Sequence, residues 1–267
     1  MKSKNTLEDF EDCWKTDMGG AIAGERVVIR GKDLFTELSD YSWLKLLMYM
    51  ITGRVFDENE LEVLDKIWAQ TISYPDPRVW NNRIGALAGT VRSTASLGVS
   101  AGSAVSEAKV YGGQATLSAF TFLIECEERV SKGEELLEII KQELKINRAI
   151  FGYGRPVVSR DERIAPIERL MKKHGYSDGK YVSLAYEVEK ILQEGKWRYQ
   201  MNIGGLAAAI AADMGLTAKE YYLWLVNGYN AGITACYVDS SNKEIGTLFP
   251  LRCERISYSG VAKRTWK

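Results

Sequence analysis

The chain has 267 residues, 46% of them hydrophobic and 26% charged, with 35 basic side chains against 35 acidic ones. That length buries a full core in one large domain or one and a half, and the cancelled charge carries no nucleic-acid signature. No apolar run reaches the ~18 residues of a membrane helix, so neither nucleic acid nor membrane is expected as a partner.

The start, MKSKNTLEDFEDCWK, is charged and lacks the apolar segment of a secretory signal. Cys13, Cys126, Cys236 and Cys253 show no CxxC spacing. They read as reduced thiols of a cytoplasmic protein, with no disulfide frame and no metal site. Histidine occurs once, at His174.

Residues 1–25 combine acidic and aromatic side chains with Met18-Gly19-Gly20 and read as an arm that packs on something, such as a second subunit. Val27–Ile29 suits a short strand, stopped by Arg30-Gly31-Lys32-Asp33. Phe35–Thr52 is predicted helical, with Leu38, Trp43, Leu46, Leu47 and Met50 mostly on one face and Gly53 at the end. Asp57 and Glu60 have capping-box spacing before Leu61, Leu64, Ile67 and Trp68.

Ser73–Gln114 opens on the turn Tyr74-Pro75-Asp76-Pro77 and passes Arg78, Arg83 and Arg92. It reads as two helices made mostly of Gly, Ala, Ser and Thr, closing on Tyr111-Gly112-Gly113-Gln114. Such small residues let helix backbones approach closely. Leu117–Cys126 and Glu134–Leu144 follow as helices, and Phe151–Pro156 as a glycine–proline loop.

Ala165–His174 is a short helix whose Lys172, Lys173 and His174 suit its negative end, so His174 reads as a surface cap. Tyr181–Leu192 is amphipathic and Leu206–Met214 alanine-rich, and a Thr217/Glu220 capping box leads into Tyr221–Cys236. Asp239–Lys267 reads as an extended tail. Many helices and almost no strand make the fold class all-α.

An ordered series of stretches resembles the citrate synthase family. Arg30-Gly31-Lys32-Asp33-Leu34 is similar to its early RGxDI turn, Thr52-Gly53-Arg54-Val55-Phe56 to its TGxLP break, and Ala86-Leu87-Ala88-Gly89 to the LAG of its substrate helix. Val110-Tyr111-Gly112-Gly113-Gln114-Ala115 resembles LHGGAN, and Gly152-Tyr153-Gly154 through Asp161-Glu162-Arg163 resembles GFGHRVYK…DPR. Asn202-Ile203-Gly204 resembles NVDF, and Ser257-Tyr258-Ser259-Gly260 the closing LYTG.

The resemblance implies two helical domains: a large one from 1–114 and 205–267, and a small one from 115–204, with the site in the cleft between them. It also implies a homodimer whose C-terminal tail reaches the partner's cleft. That family joins acetyl-CoA to a keto acid. A carboxylate takes a proton from the thioester's methyl group, one histidine holds the enolate and a second protonates the ketone. Arginines and a further histidine hold the acid's carboxylates.

The matching positions here carry other residue types. Tyr111 stands at the LHGGAN histidine, Arg155 at the GFGH histidine, Gly204 at the NVD aspartate, and Asp76 on or beside the keto-acid histidine. Arg163 matches the arginine of DPR, the late arginine falls on Tyr229, and the final one at Arg252 or Cys253. A chain with one histidine does not run the family's usual chemistry with its usual groups.

The candidate catalytic residues are then Tyr111, as a hydrogen-bond donor from an apolar pocket, Arg155, and Asp76, either as a base or as a partner of Arg78 or Arg155. Arg163, Arg78, Asn202, Gly204 and Arg252 are the candidate substrate positions. Gly152, Tyr153, Gly154 and Arg160 are the candidate contacts to coenzyme A. Three readings stay open. One is an enzyme, of acyltransferase or lyase type, acting on an acyl-CoA or related carboxylic substrate. Another is a non-catalytic relative that binds a carboxylate metabolite or a partner protein. The third is unrelated chemistry in a reused cleft.

Overall fold

The computed structural model describes residues 11–72, 74–155, 160–245, 252–262 and 264. The described chain enters through an antiparallel sheet of β1 (Gly19–Ile22), β2 (Arg26–Ile29) and β3 (Lys32–Asp33), with Gly20 opposite Val28 and Ile29 opposite Lys32. The all-α expectation is thereby amended by one small sheet. Only β2 carries a run of β-branched residues, Val27–Ile29, that announces a strand; its partners are glycine-rich or very short, so pairing makes them strands.

Among the described residues, the regular elements after the sheet are helices. The first elements are α1 (Trp43–Thr52), α2 (Glu58–Ile67), α3 (Trp80–Thr90), α4 (Ala95–Val105) and α5 (Gly113–Ser131). They are followed by α6 (Leu136–Asn147), α7 (Ile164–His174), α8 (Lys180–Glu194), α9 (Ile203–Asp213), α10 (Ala218–Gly228) and α11 (Asn230–Ser241). Both capping boxes form: Asp57 and Glu60 exchange bonds at the start of α2, and Thr217 and Glu220 at the start of α10.

Helix α1 starts only at Trp43, not at Phe35. The Asp33 carboxylate accepts from the N–H groups of Phe35 and Thr36, at 2.8 and 3.1 Å, which holds a turn there. Ser42 then caps the helix by accepting from Lys45 N. The single helix expected over Tyr221–Cys236 is two, α10 and α11, joined at Tyr229, and Asp239–Ser241 belong to α11 rather than to a tail.

Helix α9, IGGLAAAIAAD, is buried from Gly205 to Ala212 and packs between α5 and α8. An apolar helix of this kind has no face to give to water. Helices α3, α4 and α11 pack on one another. Gly85 and Gly89 of α3 meet the backbone of α11 at Ile233 and Tyr237, where a Cβ would overlap.

Helix α2 runs into a π-helical turn, Trp68–Ile72, and Trp68 sits in a stack of rings. Trp43 lies 5.8 Å from Trp68, Trp68 stacks on Trp224 at 5.6 Å and 12°, and Tyr221 and Phe120 continue the series at 5.8 and 4.9 Å. His174 is not a surface cap. Its imidazole lies between α2 and α7, with Nδ1 3.0 Å from Asn59 Oδ1 and Nε2 3.2 Å from Glu62. Among the described residues no helix is long and apolar enough to cross a membrane.

Candidate functional site

The glycine loop between α6 and α7 is fixed by its backbone. Gly152 and Gly154 have φ of +90° and +81°, which glycine adopts without strain. Asn202 N donates to Gly152 O at 2.9 Å, Gly154 N to Gln200 O at 2.6 Å, and Tyr153 pairs with Met201. A Cβ on Gly152 would stand 2.8 Å from Gly205 Cα, so the loop lies directly on the start of α9. Asn202 caps α9 through Oδ1, 2.9 Å from Gly204 N, and donates from Nδ2 to Gly154 O at 3.0 Å.

At the centre of this arrangement is Asp161, 1% exposed. Its carboxylate takes Arg163 Nε and Nη2 at 2.8 Å each, Ile203 N at 3.0 Å and Arg163 N at 3.1 Å. Arg163 Nη1 donates onward to Thr71 O in the π-helical turn, at 3.0 Å. Burial pushes the Asp161 carboxyl up, but the Arg163 guanidinium and the N–H groups of Ile203 and Arg163 outweigh it and hold it below the usual carboxylate range. Arg155 Nη1 lies 3.7 Å from Asp161, donates to Arg160 O at 3.2 Å, and pairs with Glu162.

The other wall is Tyr229, at the α10–α11 join. Burial pushes its phenol up to about 12, with Thr116 as a hydrogen-bond partner and Glu107 and Arg163 as charged neighbours. Glu107 Oε2 accepts from Gln114 Nε2 at 2.7 Å. Gly204 adds no side chain, and a Cβ there would stand 3.6 Å from Thr116 Oγ1. The resulting cluster holds the guanidinium of Arg163 with that of Arg155 beside it, the phenol of Tyr229, the hydroxyl of Thr116 and the carboxylates of Asp161 and Glu107 around the first turn of α9. The N–H groups of that turn are already taken, Ile203 by Asp161 and Gly204 and Gly205 by Asn202, so it adds the positive end of a helix dipole.

The structure therefore brings Arg155, Arg163, Asn202, Gly204, Gly152 and Gly154 together. The remaining candidates lie elsewhere or play other parts. Asp76 is held by Arg78, whose Nε and Nη2 approach its carboxylate at 3.0 and 2.7 Å, and neither residue hydrogen-bonds or ion-pairs with the Asp161 cluster. Of the alternatives for Asp76, the Arg78 pair is the one formed.

Tyr111 is 62% exposed, with φ of +63° and its ring 6.2 Å from Trp80. The apolar pocket expected around it is not formed by this chain, because the left-handed backbone turns the side chain outward. Tyr153 is a core residue, its hydroxyl 2.9 Å from Ala185 O, so only its backbone is left for a cofactor. Arg160 is exposed beside a cavity of about 150 Å³. Arg252 is exposed in the tail.

Asp161, Thr71, Thr116, Glu107 and Gln114 were not singled out by sequence. The i, i+2 spacing of Asp161 and Arg163 was the one visible signal. Among the described residues no three metal-ligating side chains gather.

This arrangement of helices around a capped helix and a glycine loop has the citrate synthase fold. The chain aligns over 95% of its length with 97% of citryl-CoA lyase from Hydrogenobacter thermophilus, at a TM-score of 0.81 and 22% identity. It also matches 45% of the chain of Methanosaeta concilii ATP citrate lyase, solved with (3S)-citryl-CoA, at 0.77 and 15% identity. Citrate synthase from Thermotoga maritima aligns over 60% of its chain at 0.63 and 18% identity. No family model and no curated protein matches the sequence.

Proposed function

We propose that the chain acts on a coenzyme A thioester that carries or meets a carboxylate, making or breaking a carbon–carbon or thioester bond without the family's histidines and aspartate. The observation that carries this reading is the buried Asp161–Arg163 pair, which ties the glycine loop, the π-helical turn and the start of α9 to one point. Arg163 engages three of its N–H groups, and a guanidinium has five, so two remain for a ligand carboxylate. The fold's solved examples include complexes with citryl-CoA, citrate and coenzyme A, which supports the substrate class.

In this reading Tyr229 takes the donor role first assigned to Tyr111. Its phenol stays protonated and donates to a carbonyl or enolate oxygen. Glu107, beside that phenol, accepts the proton that an aspartate at the Gly204 position would take. Arg155 and Arg160, at the mouth of the glycine loop, meet the phosphates of coenzyme A. The exposed apolar side chains Leu87 of α3, Val91 just past its end, and Leu97 and Val105 of α4 support a homodimer across that face.

Thermal-shift titration with coenzyme A, acetyl-CoA and citrate, followed by a thiol-release assay with acetyl-CoA and oxaloacetate and a keto-acid-release assay with citryl-CoA, tests the proposal. A stabilising CoA ester that is turned over, with Tyr229→Phe slowing turnover about 100-fold, is the expected result. Absence of any CoA-ester binding refutes it. Binding without turnover selects the second reading, a non-catalytic carboxylate binder, which the internal pairing of Arg155 and Arg163 with Glu162 and Asp161 favours.

A further inference from the structure

We propose that one edge of the Arg155 guanidinium, formed by Nε–H and the adjacent Nη2–H, is an oxyanion subsite. It takes a phosphate or carboxylate of the ligand in two parallel hydrogen bonds, and Glu162 orients it from the opposite side. For the identity of the ligand, the subsite rests on the coenzyme A reading above.

Three other arginines use this same edge on a carboxylate. Nε and Nη2 of Arg78 approach Asp76 at 3.0 and 2.7 Å, those of Arg129 approach Glu134 at 3.1 and 2.6 Å, and those of Arg163 approach Asp161 at 2.8 Å each. Such fork-to-fork pairs are the strong form of the contact. Arg155 is held differently. Its Nη1 makes both bonds, to Arg160 O at 3.2 Å and to the Glu162 carboxylate. Among the described residues nothing accepts from Nε or Nη2, so the edge that Arg163 gives to Asp161 stays open on Arg155.

The nearby carboxylates do not fill that edge. Asp161 Oδ1 lies 3.7 Å from Arg155, on the Nη1 side and beyond hydrogen-bond reach. It shares a carboxylate that already accepts from Arg163 Nε, Nη2 and N and from Ile203 N, about all that two oxygens take. Glu162 is also bound at Nη1, and its side chain is 71% exposed, so water screens its charge. The Arg155 guanidinium holds the Glu162 carboxyl below the usual range, so Glu162 stays ionised and in place. The Arg155 side chain itself is only 23% exposed. A cation this far withdrawn from water, with an unfilled donor edge, is matched by what binds there.

The backbone fixes the aim. Gly154, directly before Arg155, is clamped on both sides: its N–H donates to Gln200 O at 2.6 Å and its carbonyl accepts from Asn202 Nδ2 at 3.0 Å. Two bonds at Nη1 then set the plane of the guanidinium. A planar fork held in this way suits an acceptor with two oxygens, which phosphates and carboxylates share and which a single carbonyl or an amine lacks.

Titration calorimetry on the full chain tests this with coenzyme A, dephospho-coenzyme A, pantetheine, citrate and pyruvate. Arg155→Lys keeps the charge and removes the fork, and is expected to weaken the anionic ligand about tenfold. Glu162→Gln keeps an acceptor for Nη1 and removes the competing charge, and is expected to tighten the same ligand about twofold to fivefold. It changes an exposed side chain, so it reports even if Arg155→Lys does not fold. Pantetheine, with neither phosphate nor carboxylate, is expected to be indifferent to both. Weakening of the coenzyme A forms alone names a phosphate as the occupant, and weakening of citrate or pyruvate alone names a carboxylate; either supports the subsite. Loss of all coenzyme A binding, with citrate or pyruvate still dependent on Arg155, refutes the coenzyme A reading and upholds the subsite. No saturable binding of any anionic probe, equal affinity in wild type and Arg155→Lys, or weaker binding to Glu162→Gln overturns the proposal.

Discussion

Asp161→Asn isolates what the central ion pair contributes. The Asp161 side chain is fully buried and that of Arg163 is 21% exposed, so solvent screens the pair only weakly. The amide keeps one acceptor oxygen but turns an N–H₂ group toward donors: the Arg163 guanidinium on one side or the Ile203 N–H on the other. The guanidinium is left without its counter-charge. Breaking a buried pair from one side costs about 3–5 kcal/mol, and at ~2–4 °C per kcal/mol for a chain of this size the unfolding temperature falls by roughly 10 °C.

The pH dependence has a definite sign. The folded-state carboxyl of Asp161 is held low, so its contribution is complete above its unfolded value of about 3.9 and is lost as pH falls through the lower folded value. Urea unfolding of wild type and Asp161→Asn at neutral pH and near pH 3 measures both effects. The gap between the two proteins is expected to narrow in acid. A loss below about 1 kcal/mol at neutral pH, the level of an exposed ion pair, would refute the reasoning that this pair anchors the site.

Gly152→Ala combines a positive φ with a Cβ 2.8 Å from Gly205 Cα; it is expected to destabilise the fold by more than ~1 kcal/mol and to loosen the loop from α9, read by faster amide exchange at Asn202 and Gly154. Gly204→Asp adds a carboxylate to the first turn of α9, where the new Cβ makes ordinary contact with Thr116 and a closer one, at 3.1 Å, with Asn202 Oδ1; stability is expected to change by less than about 1 kcal/mol, which thermal denaturation checks. Leu97→Glu places a charge on the exposed α4 face, and light scattering is expected to show conversion of the proposed dimer to monomer.

The helices were largely legible because their signals are local. The Asp57/Glu60 and Thr217/Glu220 capping boxes form where their spacing places them, and Gly53 and Gly175 end α1 and α7 in left-handed conformations. The break at Tyr229 was not legible, because the apolar pattern of Tyr221–Cys236 runs across it and the partners that hold Tyr229 come from other helices. The outward turn of Tyr111 depends on a left-handed φ that no side chain announces. Arg155, Arg163, Asn202 and Gly204, drawn from separate motif matches, lie close together in the fold. The DPR match included Asp161 but gave it no role, because its weight comes from Ile203 N and, through Arg163, from Thr71 O, partners that only folding brings within reach.

The ring series from Trp43 to Phe120 also makes the molecule optically legible. Trp68 and Trp224 lie nearly parallel, 12° apart at 5.6 Å, close enough for their excited states to mix, while Trp43 emits largely from water. Near-ultraviolet circular dichroism thus reports the register of the π-helical turn against α10. Red-shifted emission combines Trp43 with the still more exposed Trp14. One unmodified sample carries an intrinsic gauge of how the π-helical turn sits against α10.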